Sequence, residues 1–302
     1  MGHPLRFQVL VIPNVSMGEI LGRFDRLETL GFDVGAIADH FCDWSKPDNV
    51  WHECWTTLAA IAARTSTIRL TTCVTQIPLR NPAMLARQAL SVDHVSGGRL
   101  EVGLGTGLVI DPSYAMIGEP NWSVGERVER FGEYVELLGL LLANDVTTYE
   151  GRFYSTAGAT MYPGPLQSPR PPIMVAAMGP RMMRHAVRHA DIWNSLSFLP
   201  DFDAQLTETA TRIATIDGLC AAKGRAPETL RRSYTMFDAT ARAHEGRIAY
   251  YESEDRFVEM VERVIALGMS EIGLYYPMDA AQIPMFEHLA THVIPTLRAA
   301  HR

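Results

Sequence analysis

Eight short apolar runs of strand length, each followed by a stretch of helical period, constrain this chain more than any other feature. The strand runs are predicted at 9–12, 34–38, 68–74, 100–104, 173–177, 192–196, 231–239 and 271–276. Helices are predicted at 16–31, 55–64, 82–95, 125–142, 180–189, 202–223, 255–268 and 282–300, where apolar residues recur near every third or fourth position. Runs such as VLVI, IRLTTCV and PIMVAA are apolar almost throughout, as strands covered on both faces must be. Parallel strands need a crossover helix between them, and eight such units close into an α/β barrel, the (β/α)8 TIM barrel. A length of 302 residues leaves one large barrel or two ordinary domains. The eight units favour a single TIM-barrel domain over 1–302, with insertions at about 108–122 and 144–172. The first insertion reads as a long loop. The second reads as a hairpin, 147–149 with 153–155, inside a Pro- and Gly-rich segment. The rival is a doubly wound open sheet, and GLGTG at 103–107 hints at its nucleotide fingerprint. That run leads into a loop rather than a helix, which disfavours the rival.

Composition narrows the function classes. The chain is 47% hydrophobic and 20% charged, enough to bury a large core. Twenty-seven Lys and Arg against 34 Asp and Glu give a net charge of −7, which argues against nucleic acid as a partner. The four cysteines have no CxxC spacing, so neither a disulfide framework nor structural zinc is expected, and a cytoplasmic location is. No run approaches a membrane span, and the first residues lack a signal-peptide pattern.

In a barrel the chemistry lies at the C-terminal ends of the strands. Asp39 and His40 follow the second strand, and Trp44 comes four residues later. A carboxylate beside an imidazole can move a proton near neutral pH, although the same pair could be a helix cap and a surface histidine. Trp44 either stacks on a flat ligand or covers the mouth. Gly179 and Pro180, at a strand–helix junction, either present backbone N–H groups to an anion, with Arg181 adding charge, or form a plain turn. Gly103, Gly105 and Gly107 either admit a ligand closely or taper the barrel. His185 and His189 are spaced for a metal, but no third ligand accompanies them. They are read as a solvated helix face, and no metal is expected. Cys73 is read as a buried small residue.

Four segments carry a resemblance: 55–107 (WTTLAAIAARTSTIRLTTCVTQIPLRNPAMLARQALSVDHVSGGRLEVGLGTG), 125–138 (GERVERFGEYVELL), 149–154 (YEGRFY) and 169–194 (PRPPIMVAAMGPRMMRHAVRHADIWN). In order and spacing they are similar to the bacterial-luciferase-like superfamily. The resemblance implies a TIM barrel with an insertion that uses reduced FMN or the deazaflavin coenzyme F420. Asp-His after strand two with a following Trp resembles the F420-dependent branch. It implies that Asp39 and nearby backbone contact the cofactor, that His40 exchanges a proton at the reacting centre, and that Trp44 lines the substrate pocket. It implies a bulge behind the ring at Cys73-Val74, with a non-proline cis peptide and Thr75 beside it. Thr106 and Gly107 would line the ring edge, while Ala177, Met178 and Gly179 would take the phosphate side. Sugar-phosphate dehydrogenases of this branch carry Glu after GTG, where this chain has Leu108, the nearest carboxylate being Asp111. With Val109, Ile110, Tyr114, Met116 and Trp122 nearby, a small to medium apolar organic substrate under a mobile lid is expected, in a pocket shaped by both insertions. The resemblance further implies a homo-oligomer and a separate reductase or F420-reducing enzyme. The alternatives are an FMN-dependent monooxygenase and a non-catalytic flavin-binding barrel.

Overall fold

A computed structural model describes residues 3–244 and 246–301. Eight parallel staves close into a barrel. They are β1 (Arg6–Val11), β2 (Val34–Ile37), a broken stave made of β3 (Arg69–Thr72) and β4 (Thr75–Gln76), β5 (Leu100–Gly105), β8 (Ile173–Ala176), β9 (Ile192–Ser195), β10 (Arg231–Thr235) and β11 (Glu271–Tyr275). The order β3-β2-β1-β11-β10-β9-β8-β5 returns to β3, so no barrel edge is left open. Helices α1 (Met17–Thr29), α2 (Cys54–Arg64), α3 (Pro82–Ser96), α5 (Val124–Ala143), α6 (Pro180–His189), α7 (Phe202–Lys223) and α8 (Glu254–Ala266) surround it. The last helical stretch runs as α9 (Ile283–His288), a π turn (Leu289–Val293) and α10 (Ile294–Ala300), with Pro284 and Pro295 near the starts of its α segments. None of these helices is long and apolar enough to cross a membrane.

Local chemistry accounts for the helix ends. Ser16 accepts from the Glu19 N–H at 3.3 Å, and Asn81 from the Ala83 N–H at 2.8 Å ahead of Pro82. Gly97 and Gly224 close α3 and α7 with left-handed φ of 67° each. At the N-terminal floor, Arg6 pairs with Glu101 and with Glu271, and Arg69 with Glu101. This cluster ties β1, β3, β5 and β11 together.

Two expectations are corrected. The third strand is not continuous: β3 stops at Thr72 and β4 resumes at Thr75. The hairpin pairs β6 (Val146–Glu150) with β7 (Ser155–Thr160), so Phe153 and Tyr154 lie in the turn. Their amides bond the Glu133 carboxylate, Phe153 at 2.8 Å, instead of a facing strand. The segment 144–172 packs along α3 and α5, and its turn approaches the 108–122 segment at Arg130, which lies 4.5 Å from the Phe153 ring and 4.3 Å from the Trp122 ring. Arg87 donates to the Tyr162 carbonyl at 2.8 Å, and Gln167 to Asp93 at 2.9 Å. The segment 108–122 holds one turn of helix, α4 (Ser113–Met116).

Candidate active site

Ala38, Asp39 and His40 leave the C-terminal end of β2. Asp39 is buried, and Arg80 grips its carboxylate from both sides, Nη2 reaching Oδ1 at 3.0 Å. Arg80 also donates to Glu53 at 2.6 Å, the residue that caps α2. Burial pushes the Asp39 carboxyl up, and the guanidinium opposes it.

His40 stands half-buried beside it. Its Nδ1 lies 2.6 Å from Oδ2 of Asp111, which the 108–122 segment brings across the mouth. Trp51 donates to the His40 carbonyl at 2.8 Å and meets the imidazole edge-on, with ring centroids 5.6 Å apart. Asp43 organises the intervening loop by accepting from Ser45 N–H at 2.9 Å and Asn49 at 3.0 Å, and Trp44 sits half-buried in that loop. Burial acts upward on Asp111, but hydrogen bonds from His40, Ser113 and Gln76 hold its carboxyl down, to about 2.

Gln76, at the end of β4, supports this pair. Its side-chain amide donates to the Asp39 carbonyl at 2.8 Å and to Asp111 at 3.1 Å, and its oxygen accepts from the Tyr114 hydroxyl. Arg127 of α5 lies 4.6 Å above the Tyr114 ring centroid. It donates to the Thr106 carbonyl at 2.7 Å, the Trp122 carbonyl at 2.9 Å and Asn121 at 2.6 Å. The segment expected to be a mobile lid is thus tied at several points. None of Gln76, Tyr114 or Arg127 stood out as a polar support in the sequence. The signal available was Gln76 at a strand end and an Arg among apolar helix positions.

The break in the third stave is a bulge. Thr71 faces Glu101 and Thr75 faces Leu104, so Thr72, Cys73 and Val74 oppose only Val102 and Gly103. The Cys73-Val74 peptide is cis, at the position the resemblance implies. Two glycines make room for it. A Cβ on Gly103 would lie 1.8 Å from the Thr72 carbonyl oxygen, and one on Gly105 would lie 2.5 Å from Val74 Cγ2. Gly107, at φ 76°, would put a Cβ 2.1 Å from the Tyr114 hydroxyl. The GLGTG run therefore accommodates the bulge and the polar network. Cys73 and Val74 are half-buried at the bulge, and burial pushes the Cys73 thiol up to about 11, which suits packing rather than nucleophilic work. Thr75 is buried, accepting from Trp55 Nε1 and donating to Thr72, both at 3.0 Å.

Across the barrel, Ala177 is buried and its carbonyl accepts from Trp193 at 2.8 Å. Met178, Gly179 and Arg181 are exposed, and α6 starts with no side-chain cap. Such a helix end can receive an anion. His185 and His189 are not a solvated face. They are half-buried against α5, with His185 6.1 Å from Phe131, and burial pushes His189 down to about 4. No cluster of three metal-ligating side chains occurs among the described residues. Aromatic side chains gather at the ends of three staves. Phe198 meets Phe237 at 5.3 Å and Phe237 meets Tyr275 at 6.1 Å after β9, β10 and β11, while Ile110 and Met116 stand exposed on the other side.

A family model described as luciferase-like monooxygenase matches residues 4–287. An F420-dependent glucose-6-phosphate dehydrogenase from Intrasporangium calvum is 34% identical over 175 residues, 57% of this chain and 52% of that one. The chain thus spans about half the length of the curated relatives it matches. A coenzyme F420-dependent tetrahydromethanopterin reductase from Methanopyrus kandleri shares the fold, with a TM-score of 0.79 at 17% identity, over 97% of this chain and 99% of that one. A riboflavin lyase solved with modified FMN and riboflavin shares it as well, with a TM-score of 0.78 at 16% identity, over 99% of this chain and 92% of that one.

Proposed function

The chain belongs to the luciferase-like monooxygenase family, and from that premise we propose that it is an oxidoreductase that transfers a hydride between coenzyme F420 and a small to medium, largely apolar organic molecule. The observation that carries the reading is a half-buried imidazole, His40, held at the barrel mouth near a bulged stave, with an apolar rim opposite. Curated relatives such as the Intrasporangium calvum dehydrogenase are F420-dependent by name, which supports the deazaflavin.

The residues present fit that group. Half-buried Cys73 and Val74 form a surface against which a flat ring can rest, with Thr106 and Gly107 at its edge. The uncapped start of α6, with Met178, Gly179 and Arg181 exposed, suits an anionic tail. When bound, the deazaflavin supplies the hydride acceptor or donor. His40 exchanges the accompanying proton with the substrate through its imidazole. Trp44, half-buried in the same loop, lines the substrate side. Phe198, Phe237 and Tyr275 offer ring faces and edges, but no fixed charge, to the remainder of the substrate. This is why an apolar substrate is preferred over a sugar phosphate. In the direction of substrate reduction, a separate reductase or F420-reducing enzyme would supply reduced cofactor, and exposed Met84 and Val95 on α3 support assembly as a homo-oligomer.

The second reading is an FMN-dependent monooxygenase, which the description of the family model favours. Titrating the protein with oxidised F420 and with FMN, followed by fluorescence quenching, separates the two. Micromolar binding of F420 is expected, and binding of FMN alone would overturn the proposal. With F420 bound, apolar secondary alcohols should reduce it faster than glucose 6-phosphate does. The reverse order would refute the substrate class.

A further inference from the structure

The loop carboxylate at the mouth has a role that neither the resemblance nor the comparisons assign. We propose that Asp111 is a positioning residue that holds the proton of neutral His40 on Nδ1, leaving Nε2 as the nitrogen that exchanges a proton with substrate, and that this bond couples the seating of the 108–122 segment to the imidazole. The inference rests on the reading of His40 as the proton-exchanging group.

The geometry fixes the proton. Nδ1 and Oδ2 of Asp111 are 2.6 Å apart, a separation that an imidazole nitrogen and a carboxylate oxygen hold only with a hydrogen between them. Gln76 Nε2 also approaches Nδ1, at 2.8 Å. Its two hydrogens are used by the Asp39 carbonyl and by Asp111, and its orientation is set by the Tyr114 hydroxyl on its oxygen. Nδ1 therefore donates to Asp111 and does not accept from Gln76. The charged and titratable groups around the pair are otherwise engaged. Asp39 is held by Arg80, Arg127 lies over Tyr114 and holds the Thr106 carbonyl, and Cys42 contacts Ser113 and Met116 through sulfur. Asp111 and His40 are 71 positions apart, so the bond closes the mouth segment onto β2. Coupling of this kind is reciprocal.

The test uses cofactor-free protein, so its result is independent of which flavin binds. Nitrogen-15 shifts of His40, at a pH where the imidazole is neutral, should show Nδ1 protonated in the wild type. They should show the same in Asp111→Asn, whose amide oxygen still accepts, and mainly Nε2 protonated in Asp111→Ala. Hydrogen exchange at 111–116 should quicken several-fold in His40→Ala. Wild-type His40 protonated on Nε2, or an unchanged tautomer in folded Asp111→Ala, would overturn the proposal. If Asp111→Ala does not fold, the wild-type tautomer and the exchange rate in His40→Ala decide. With F420 bound, Asp111→Ala should lower kcat at least ten-fold with KM nearly unchanged. A loss confined to KM would mean that Asp111 only shapes the pocket.

Discussion

At residue scale, space is the first constraint. Gly103 faces the Thr72 carbonyl so closely that a methyl group must displace backbone. Gly103→Ala should cost about 3 kcal/mol or more, read as a large fall in Tm. Gly139, inside α5, meets nothing within 4 Å, so Gly139→Ala should raise stability by about 0.5–1 kcal/mol. Two glycines of similar appearance in the sequence thus predict opposite signs. Charge is the second constraint. Asp111 titrates near 2 when folded, against an ordinary value of 3.8. A depressed carboxyl contributes stability that is fully present above its unfolded value and is lost as pH falls through its folded value. Between about pH 4 and pH 2 the mouth segment should therefore loosen, followed by proteolysis or Trp fluorescence. Asp111→Asn should be looser at pH 7 and change less over that window.

At the scale of elements, most boundaries follow from local chemistry. Helices begin at Ser16, Pro82 and Pro180 and end at Gly97 and Gly224, each by the chemistry of residues next to it. Periodicity is also a local property, and it fails where a distant group intervenes. The hairpin turn moved because the Glu133 carboxylate takes the Phe153 and Tyr154 amides. The third stave broke because Gly103 and Gly105 on β5 leave room for a bulge. The Asp39–Arg80–Glu53 chain shows how elements hold one another: it joins β2, the segment before α3, and the cap of α2. Arg80→Met would leave the buried Asp39 carboxylate without a cation. A loss of about 3–5 kcal/mol is expected, measured by denaturant unfolding. A change within error would show that the ion pair is replaceable by packing.

At the scale of the whole molecule, barrel closure places the site and supports it from below. Arg6 on β1 compensates Glu101 and Glu271, both buried, across the floor. Burial acts upward on Glu101, but Arg6 holds its carboxyl low. Arg6→Met should destabilise by about 3–5 kcal/mol at neutral pH. Glu101 would keep only Arg69, and the deficit should shrink as pH falls, because protonating a buried carboxyl removes poorly compensated charge; calorimetry at two pH values measures this. The eight-fold alternation, several helix ends and Asp39-His40 at a strand end were legible in the sequence, since each depends on residues a few positions apart. The tertiary structure alone decided that His40 meets Asp111, that Gln76, Tyr114 and Arg127 brace them, that Arg80 takes up the Asp39 carboxylate, and that His185 and His189 pack inward. Those partners lie tens of residues apart, and only closure of the barrel brings their donors and acceptors within hydrogen-bond reach.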